Sequence, residues 1–155
     1  MLVFLDIDGV MVPAASWKTP ENLEDGFPMF SQKAVEVLNL LLSKDTRVIL
    51  TSSHKSRFTL VEWKKIFERR GITIDNLSCL NPNNSFFKRK DELLDWFNTH
   101  DTKNEDFIII DDDSSLYALP VRLKEHLIVT SSLIGLTQEH LAIATNILGK
   151  SRQFV

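Results

Sequence analysis

Phe4-Leu5-Asp6-Ile7-Asp8-Gly9-Val10 closes an apolar run with two aspartates one residue apart, and Phe107-Ile108-Ile109-Ile110 closes another with Asp111-Asp112-Asp113. Short continuous apolar runs that stop at acid are the pattern of central parallel strands, buried on both faces. If the two strands are neighbours, as many as five carboxylates converge at the carboxyl edge of the sheet, where open α/β sheets bind ligands. Such crowding of like charge is destabilising unless a cation or a proton relieves it. The pattern therefore points to a hard metal ion and an oxyanion.

Outward from these two strands the chain alternates. After the first comes an irregular stretch at about 11–30 holding Pro13, Pro20, Gly26 and Pro28, long for a connection and hence functional or mobile. Ser31 can cap a helix whose Ala34, Val35, Leu38, Leu41 and Leu42 share a face. A strand is expected at about 46–51. Thr59 with Glu62 reads as a capping box and Gly71 as a helix stop, which predicts a helix over 60–70. Ile72-Thr73-Ile74 is expected to open the third strand, Asn81-Pro82-Asn83-Asn84 to turn, and a helix to carry Leu93, Leu94, Trp96 and Phe97. Strands at 106–111 and 127–130 and a helix at 138–148, between Thr137 as cap and Gly149 as stop, complete the order. The connection near 114–125 is ambiguous because Pro120 limits any helix. The alternation predicts a single α/β domain over 1–155, doubly wound in three layers around about five parallel strands.

Composition sets the bounds. The 155 residues, 43% hydrophobic and 25% charged, suit one soluble domain with one core. A net charge of -3 argues mildly against a dedicated nucleic-acid binder, although a local basic patch stays compatible with it. Apolar residues precede Ala14-Ala15-Ser16, but Asp6 and Asp8 interrupt them and no basic residue comes first, so no export signal is read. No stretch approaches the ~20 apolar residues of a membrane span. The lone Cys79 cannot form an intrachain disulfide, which suits a reducing, cytoplasmic location; its plain reading is a small apolar residue in or beside a strand.

In an extended strand residues i and i+2 share a face, so Asp6 and Asp8 can flank one bound group. With an unperturbed carboxylate pKa near ~4, Asp6 is already ionised at neutral pH and needs no histidine to act as a nucleophile. Asp-x-Asp-Gly alone also fits simple turn chemistry, with Gly9 supplying a tight bend. Three further elements follow in order. Leu50-Thr51-Ser52-Ser53 ends a strand in hydroxyls that can donate to a phosphoryl oxygen. Lys88-Arg89-Lys90 opens the helix before the fourth strand, where it can offset phosphate charge. The triple aspartate supplies oxygen ligands.

Together these elements resemble the haloacid dehalogenase superfamily of aspartate-nucleophile phosphohydrolases, over nearly the whole chain. The nearest likeness is to small cap-less members found as phosphatase domains in RNA-repair proteins. It is carried by Asp6-Ile7-Asp8-Gly9-Val10, Leu50-Thr51-Ser52-Ser53, Lys90-Asp91-Glu92-Leu93-Leu94-Asp95-Trp96-Phe97, Ile110-Asp111-Asp112-Asp113 and Gly135-Leu136-Thr137. The resemblance implies strand order 3-2-1-4-5, Asp6 as nucleophile and Asp8 as general acid and then base. It gives Thr51 the phosphate-binding hydroxyl, with Ser52 as a second candidate. Lys88 is the preferred phosphate-binding lysine and Lys90 its runner-up. It also implies Mg²⁺ held by Asp6, the backbone carbonyl of Asp8, and one or both of Asp111 and Asp112, a ligand set suited to an ion that keeps several waters. Asp113 is read as capping whatever follows it.

Other residues have plainer readings. His54 is close enough to touch substrate, but a loop histidine after a strand is more often simply solvated. Lys55, Arg57, Lys64, Lys65, Arg69 and Arg70 are expected on an exposed helix face, and Trp63 and Trp96 in the core. In the loop after the nucleophile, Trp17, Phe27, Phe30, Met11 and Met29 could stack on a flat substrate group or pack the loop onto the domain, with Trp17 the candidate substrate contact. No insertion is large enough for a cap domain, so the site should be open. The expected function is Mg²⁺-dependent phosphomonoester hydrolysis through a phosphoaspartate, on nucleotides or nucleic-acid termini. The alternative is a catalytically idle domain of the same fold, serving as a binding or scaffold module. A receiver-type signalling domain is disfavoured because its phosphoacceptor follows the third strand and its lysine the fifth.

Overall fold

The computed structural model describes residues 1–14, 21–80 and 88–152. Five strands, β1 (Leu2–Leu5), β2 (Arg47–Leu50), β3 (Asn76–Cys79), β4 (Phe107–Asp111) and β5 (Leu127–Val129), form one sheet in the order β3-β2-β1-β4-β5. All four pairings are parallel. Helices α1 (Gln32–Leu41), α2 (Leu60–Arg69) and α5 (Gln138–Arg152) pack with Val3, Leu5, Val48, Leu50, Ile108 and Ile110 in one buried cluster. On the other face α3 (Arg89–Thr99), a 3₁₀ turn at Ser114–Ala118 and the short α4 (Val121–Lys124) cover Leu2, Phe4, Ile49, Phe107 and Ile109. Each fully buried Leu, Ile or Phe contributes about 1.5–3 kcal/mol, so these two layers carry the fold.

Local signals set most boundaries. Ser31 Oγ accepts from the Ala34 N–H at the start of α1. Thr59 and Glu62 form a reciprocal capping box on α2, and Gly71, at φ +85°, turns the chain after it. Asp113 caps the 3₁₀ turn through the Ser115 N–H.

Two expectations fail. Ile72 and Ile74 are buried but lie outside the sheet; pairing starts only at Asn76, opposite Arg47, so these isoleucines fill the core from a connecting segment. Helix α5 runs through Gly149 to Arg152 rather than stopping there. A helical glycine costs only about 1 kcal/mol relative to alanine, and ends a helix only where it takes the left-handed conformation, which Gly149 does not.

Between the motifs the described residues hold no separate cap unit. None of their helices is long and apolar enough to cross a membrane.

Candidate active site at the carboxyl edge of the sheet

β1 sits between β2 and β4, with Leu5 registered against both Leu50 and Ile110. The residues just past these three therefore emerge together: the Asp6 N–H donates to the Ile110 carbonyl at 3.0 Å, and the Thr51 N–H to the Leu5 carbonyl at 2.9 Å. Side chains alternate along a strand. Asp6 thus follows Leu2 and Phe4, Thr51 follows Ile49, and Asp111 follows Phe107 and Ile109, all toward the face that α3 covers.

Asp6, Asp111 and Asp112 each offer a carboxylate oxygen, and the three oxygens lie within 4.8 Å of one another. Asp6 and Asp111 are almost fully buried. Arg89, in the first turn of α3, reaches into this group. Its Nη1 lies 2.9 Å from both oxygens of Asp111 and 3.3 Å from Oδ2 of Asp6. Asp111 Oδ1 also accepts from the Asp113 N–H.

One cation against three acids leaves negative charge in excess. Burial, then Asp111 beside it, push the Asp6 pKa up to about 8, although Arg89 pulls the other way. Asp111 is raised as well, chiefly by burial. Burial opposes the charge on Arg89, but Asp6 and Asp111 outweigh it and its pKa rises. The unperturbed value near ~4 expected for Asp6 thus does not describe the folded site, where burial and the neighbouring Asp111 favour the protonated carboxyl.

The donor set fits a small hard cation: three carboxylate oxygens on one side, raised pKa values that a positive ion would reverse, and coordination left for water and a phosphate. Gly9 makes room for it. At φ +77° its absent Cβ would fall 2.0 Å from Asp112 Oδ2, so only glycine lets that carboxylate lie over the turn. Thr130 Oγ1 donates to the Gly9 carbonyl at 2.7 Å and pins the same turn to the end of β5.

Thr51 adds a hydroxyl beside these acids. Thr51 is buried, and its Oγ1 has no hydrogen-bond partner among the described residues. A buried hydroxyl without a partner costs about 1–3 kcal/mol, which a ligand oxygen would recover. Ser52 is used differently, its Oγ accepting from the His54 N–H at 3.1 Å.

Several positions differ from expectation. Lys88 is the exposed residue before α3, and no described contact carries its side chain to the carboxylates; the middle member of the basic triplet, Arg89, makes that contact. At this helix start the three side chains point about 100° apart, so only one can face the sheet. Lys90, half-buried, likewise has no described contact with the acids. Asp6 and Asp8 both lie past β1, which ends at Leu5: Asp6 still bonds to the neighbouring strand through the Ile110 carbonyl, whereas Asp8 stands in the following turn, where the N–H groups of Val10, Met11 and Val12 converge on the Ile7 carbonyl. Its carboxylate is exposed and lies 2.7 Å from His54 Nε2, so His54 is no freely solvated loop residue.

The basic scatter on 55–70 is not uniformly exposed either. Lys55 is buried with Nζ 2.9 Å from Glu92 of α3, bracing the helix that carries Arg89. The Lys55 carbonyl accepts from Trp63 Nε1. Arg70 is buried too, forked onto both oxygens of Asp25 and donating to the carbonyls of Phe27, Pro28 and Ile66. It holds Asp25 below the usual carboxylate range. Phe27, Phe30 and Met11 are core residues, so the described part of the loop packs onto the domain; Met29 is half-exposed, and Trp17 lies outside the described residues. Trp63 is fully buried and Trp96 half-buried against Phe4. Nothing in the sequence flagged the pairing of Lys55 with Glu92, which are brought together by the packing of α3 on the sheet.

Residues 2–141 match the family model described as the HAD domain in Swiss Army Knife RNA repair proteins. No curated protein and no solved structure matches the chain.

Proposed function

Because the chain belongs to the family of HAD domains in Swiss Army Knife RNA repair proteins, we propose that it is a Mg²⁺-dependent phosphomonoesterase working through a phosphoaspartate. The observation that carries this reading is the convergence of Asp6, Asp111 and Asp112 within 4.8 Å, beside Arg89 and the unpartnered Thr51 hydroxyl.

Asp6, Asp111 and Asp112, with the Asp8 backbone carbonyl, would hold Mg²⁺. When bound, the ion supplies positive charge that keeps Asp6 ionised and neutralises phosphate oxygens. The rest falls to the chain. Thr51 Oγ1 donates to a phosphoryl oxygen. Arg89, in the role expected of Lys88, sets the Asp6 and Asp111 carboxylates and offsets charge near the reacting phosphorus.

An Asp6 oxygen attacks phosphorus while Asp8 gives a proton to the departing ester oxygen, which leaves with the bonding electron pair as an alcohol. Asp8, now ionised, takes a proton from water as the hydroxide bonds to phosphorus, the Asp6 O–P bond breaks, and phosphate and the starting carboxylate return. Phosphoryl transfer asks the protein mainly for positioning and charge stabilisation, and this edge offers both.

The substrate class follows from access. With no cap unit over the carboxyl edge among the described residues, the ends of large molecules can reach Asp6 as well as small ones, and the family's RNA-repair setting favours nucleotides or nucleic-acid termini. The test is phosphate release from p-nitrophenyl phosphate, mononucleotides and 5′- or 3′-phosphorylated oligonucleotides, with Mg²⁺ or a chelator, for wild type and Asp6→Asn. Turnover should require both Mg²⁺ and Asp6. Equal rates in every arm would favour the idle binding domain.

A further inference from the structure

His54 joins the site through Asp8, and its surroundings hold it in place. Its Nε2 lies 2.7 Å from Asp8 Oδ2, its own N–H donates to Ser52 Oγ, and its ring meets the edge of Phe27 at a centroid distance of 5.7 Å and 88°. Phe27 is immobilised in turn, packed edge-on against Phe30, Phe58 and Trp63, with its carbonyl accepting from buried Arg70 at 2.7 Å. The imidazole therefore stands on a rigid aromatic base, although its partner carboxylate is open to solvent. A pair this exposed adds little to stability. Its effect lies in geometry: Asp8 stands exposed in a turn, and one fixed donor is enough to aim its carboxylate.

We propose that His54 is a positioning residue for Asp8, donating from Nε2 to Oδ2 so that the other carboxylate oxygen carries the proton delivered to the leaving group. The inference rests on the phosphatase reading above and deepens it. It assigns His54, together with the Phe27 end of the loop after the nucleophile, to leaving-group protonation, with phosphate binding left to Thr51.

Substrates of different leaving-group quality separate this role from a merely structural one. A nitrophenolate departs without help, whereas an alkoxide such as a ribose oxygen needs the proton, and general acid catalysis is worth roughly 10²–10⁴-fold where it is needed. His54→Ala and His54→Phe should slow the first step, phosphoryl transfer to Asp6 followed in a single turnover, by roughly ten- to a hundredfold on a phosphorylated oligonucleotide or glycerol phosphate. They should slow that step far less on p-nitrophenyl phosphate, since the later hydrolysis, in which Asp8 is the base, is common to both substrates; His54→Gln, which can place an amide N–H near Nε2, should recover much of the loss. Independently of turnover, the His54 ring ¹⁵N resonances of the metal-free protein should move on Asp8→Ala.

Equal losses on both substrate types, no loss on either, or unmoved ring resonances would overturn the assignment while leaving the phosphatase reading intact. A wild type inert on every phosphomonoester would overturn both.

Discussion

Asp112 lies over Gly9 with no room for a side chain between them: a Cβ built on Gly9 would come within 2.0 Å of Asp112 Oδ2 and 2.9 Å of its Cβ. The turn after the first strand and the acidic end of the fourth are thus fitted to each other by the absence of one carbon. Gly9→Ala must both hold an alanine in the left-handed region, at about 1–2 kcal/mol, and push the carboxylate aside. We expect a destabilisation of about 2 kcal/mol or more by chemical denaturation, together with weaker Mg²⁺ binding by calorimetry. Full metal affinity in that variant would separate Asp112 from the cation site.

The basic triplet gives a sharp comparison, because only Arg89 touches Asp6 and Asp111. Arg89→Ala should lower kcat/KM by roughly 10²–10³-fold, as loss of a preorganised charge donor does. Lys88→Ala should change it little. Arg89→Lys should fall between, since an ammonium keeps the charge but not the planar fork. A larger loss at position 88 than at 89 would return the role to the lysine.

Metal-free stability should fall with rising pH. The folded pKa of Asp6 is raised from an ordinary 3.8 to about 8, and Asp111 moves the same way. A raised carboxyl contributes stability that is fully present below its unfolded pKa and is lost as pH climbs through the folded one. The lowered groups act elsewhere: Asp25 and Asp113 lose their contribution only in acid, and His140, depressed by burial, does so below its ordinary 6.5. Between pH 6.5 and 9 the site acids therefore dominate. Urea titrations in chelator should show wild type weakening across that window and Asp6→Asn weakening less. Millimolar Mg²⁺ should restore wild type at the alkaline end; a flat profile without metal would contradict the crowded site.

Arg70 fastens the loop after the nucleophile, joining Asp25, Phe27 and Pro28 to α2 from a buried position. Removing one partner of a buried, hydrogen-bonded pair costs about 3–5 kcal/mol. Arg70→Ala should approach that range in thermal or urea denaturation. Arg70→Lys should rescue little, because one ammonium cannot serve two carboxylate oxygens and three carbonyls. Near-wild-type stability of Arg70→Ala would show that the loop is held by its aromatics alone.

Much of this was legible in the chain itself. Two apolar runs ending in acid, a serine cap, a Thr59–Glu62 capping box and a run of aspartates are local patterns whose meaning depends on chain stereochemistry and hydrophobic periodicity. The parallel five-stranded sheet accordingly agrees with what those patterns imply, and its strand order with the family resemblance, while positions 6, 111 and 112 lie together at its edge. Asp113 as a cap is equally local, a carboxylate two residues from the N–H it accepts.

Which residue types stand at the ends of which strands followed from the chain alone, since burial and backbone hydrogen bonding leave such runs few other arrangements. Packing in three dimensions settled that Arg89 rather than a neighbouring lysine faces the acids, that Lys55 braces α3 through Glu92, and that His54 meets Asp8. Each of these depends on the rotation and tilt with which one packed element meets another. A turn of about 100° per residue along a helix exchanges one basic side chain for the next without altering any local pattern.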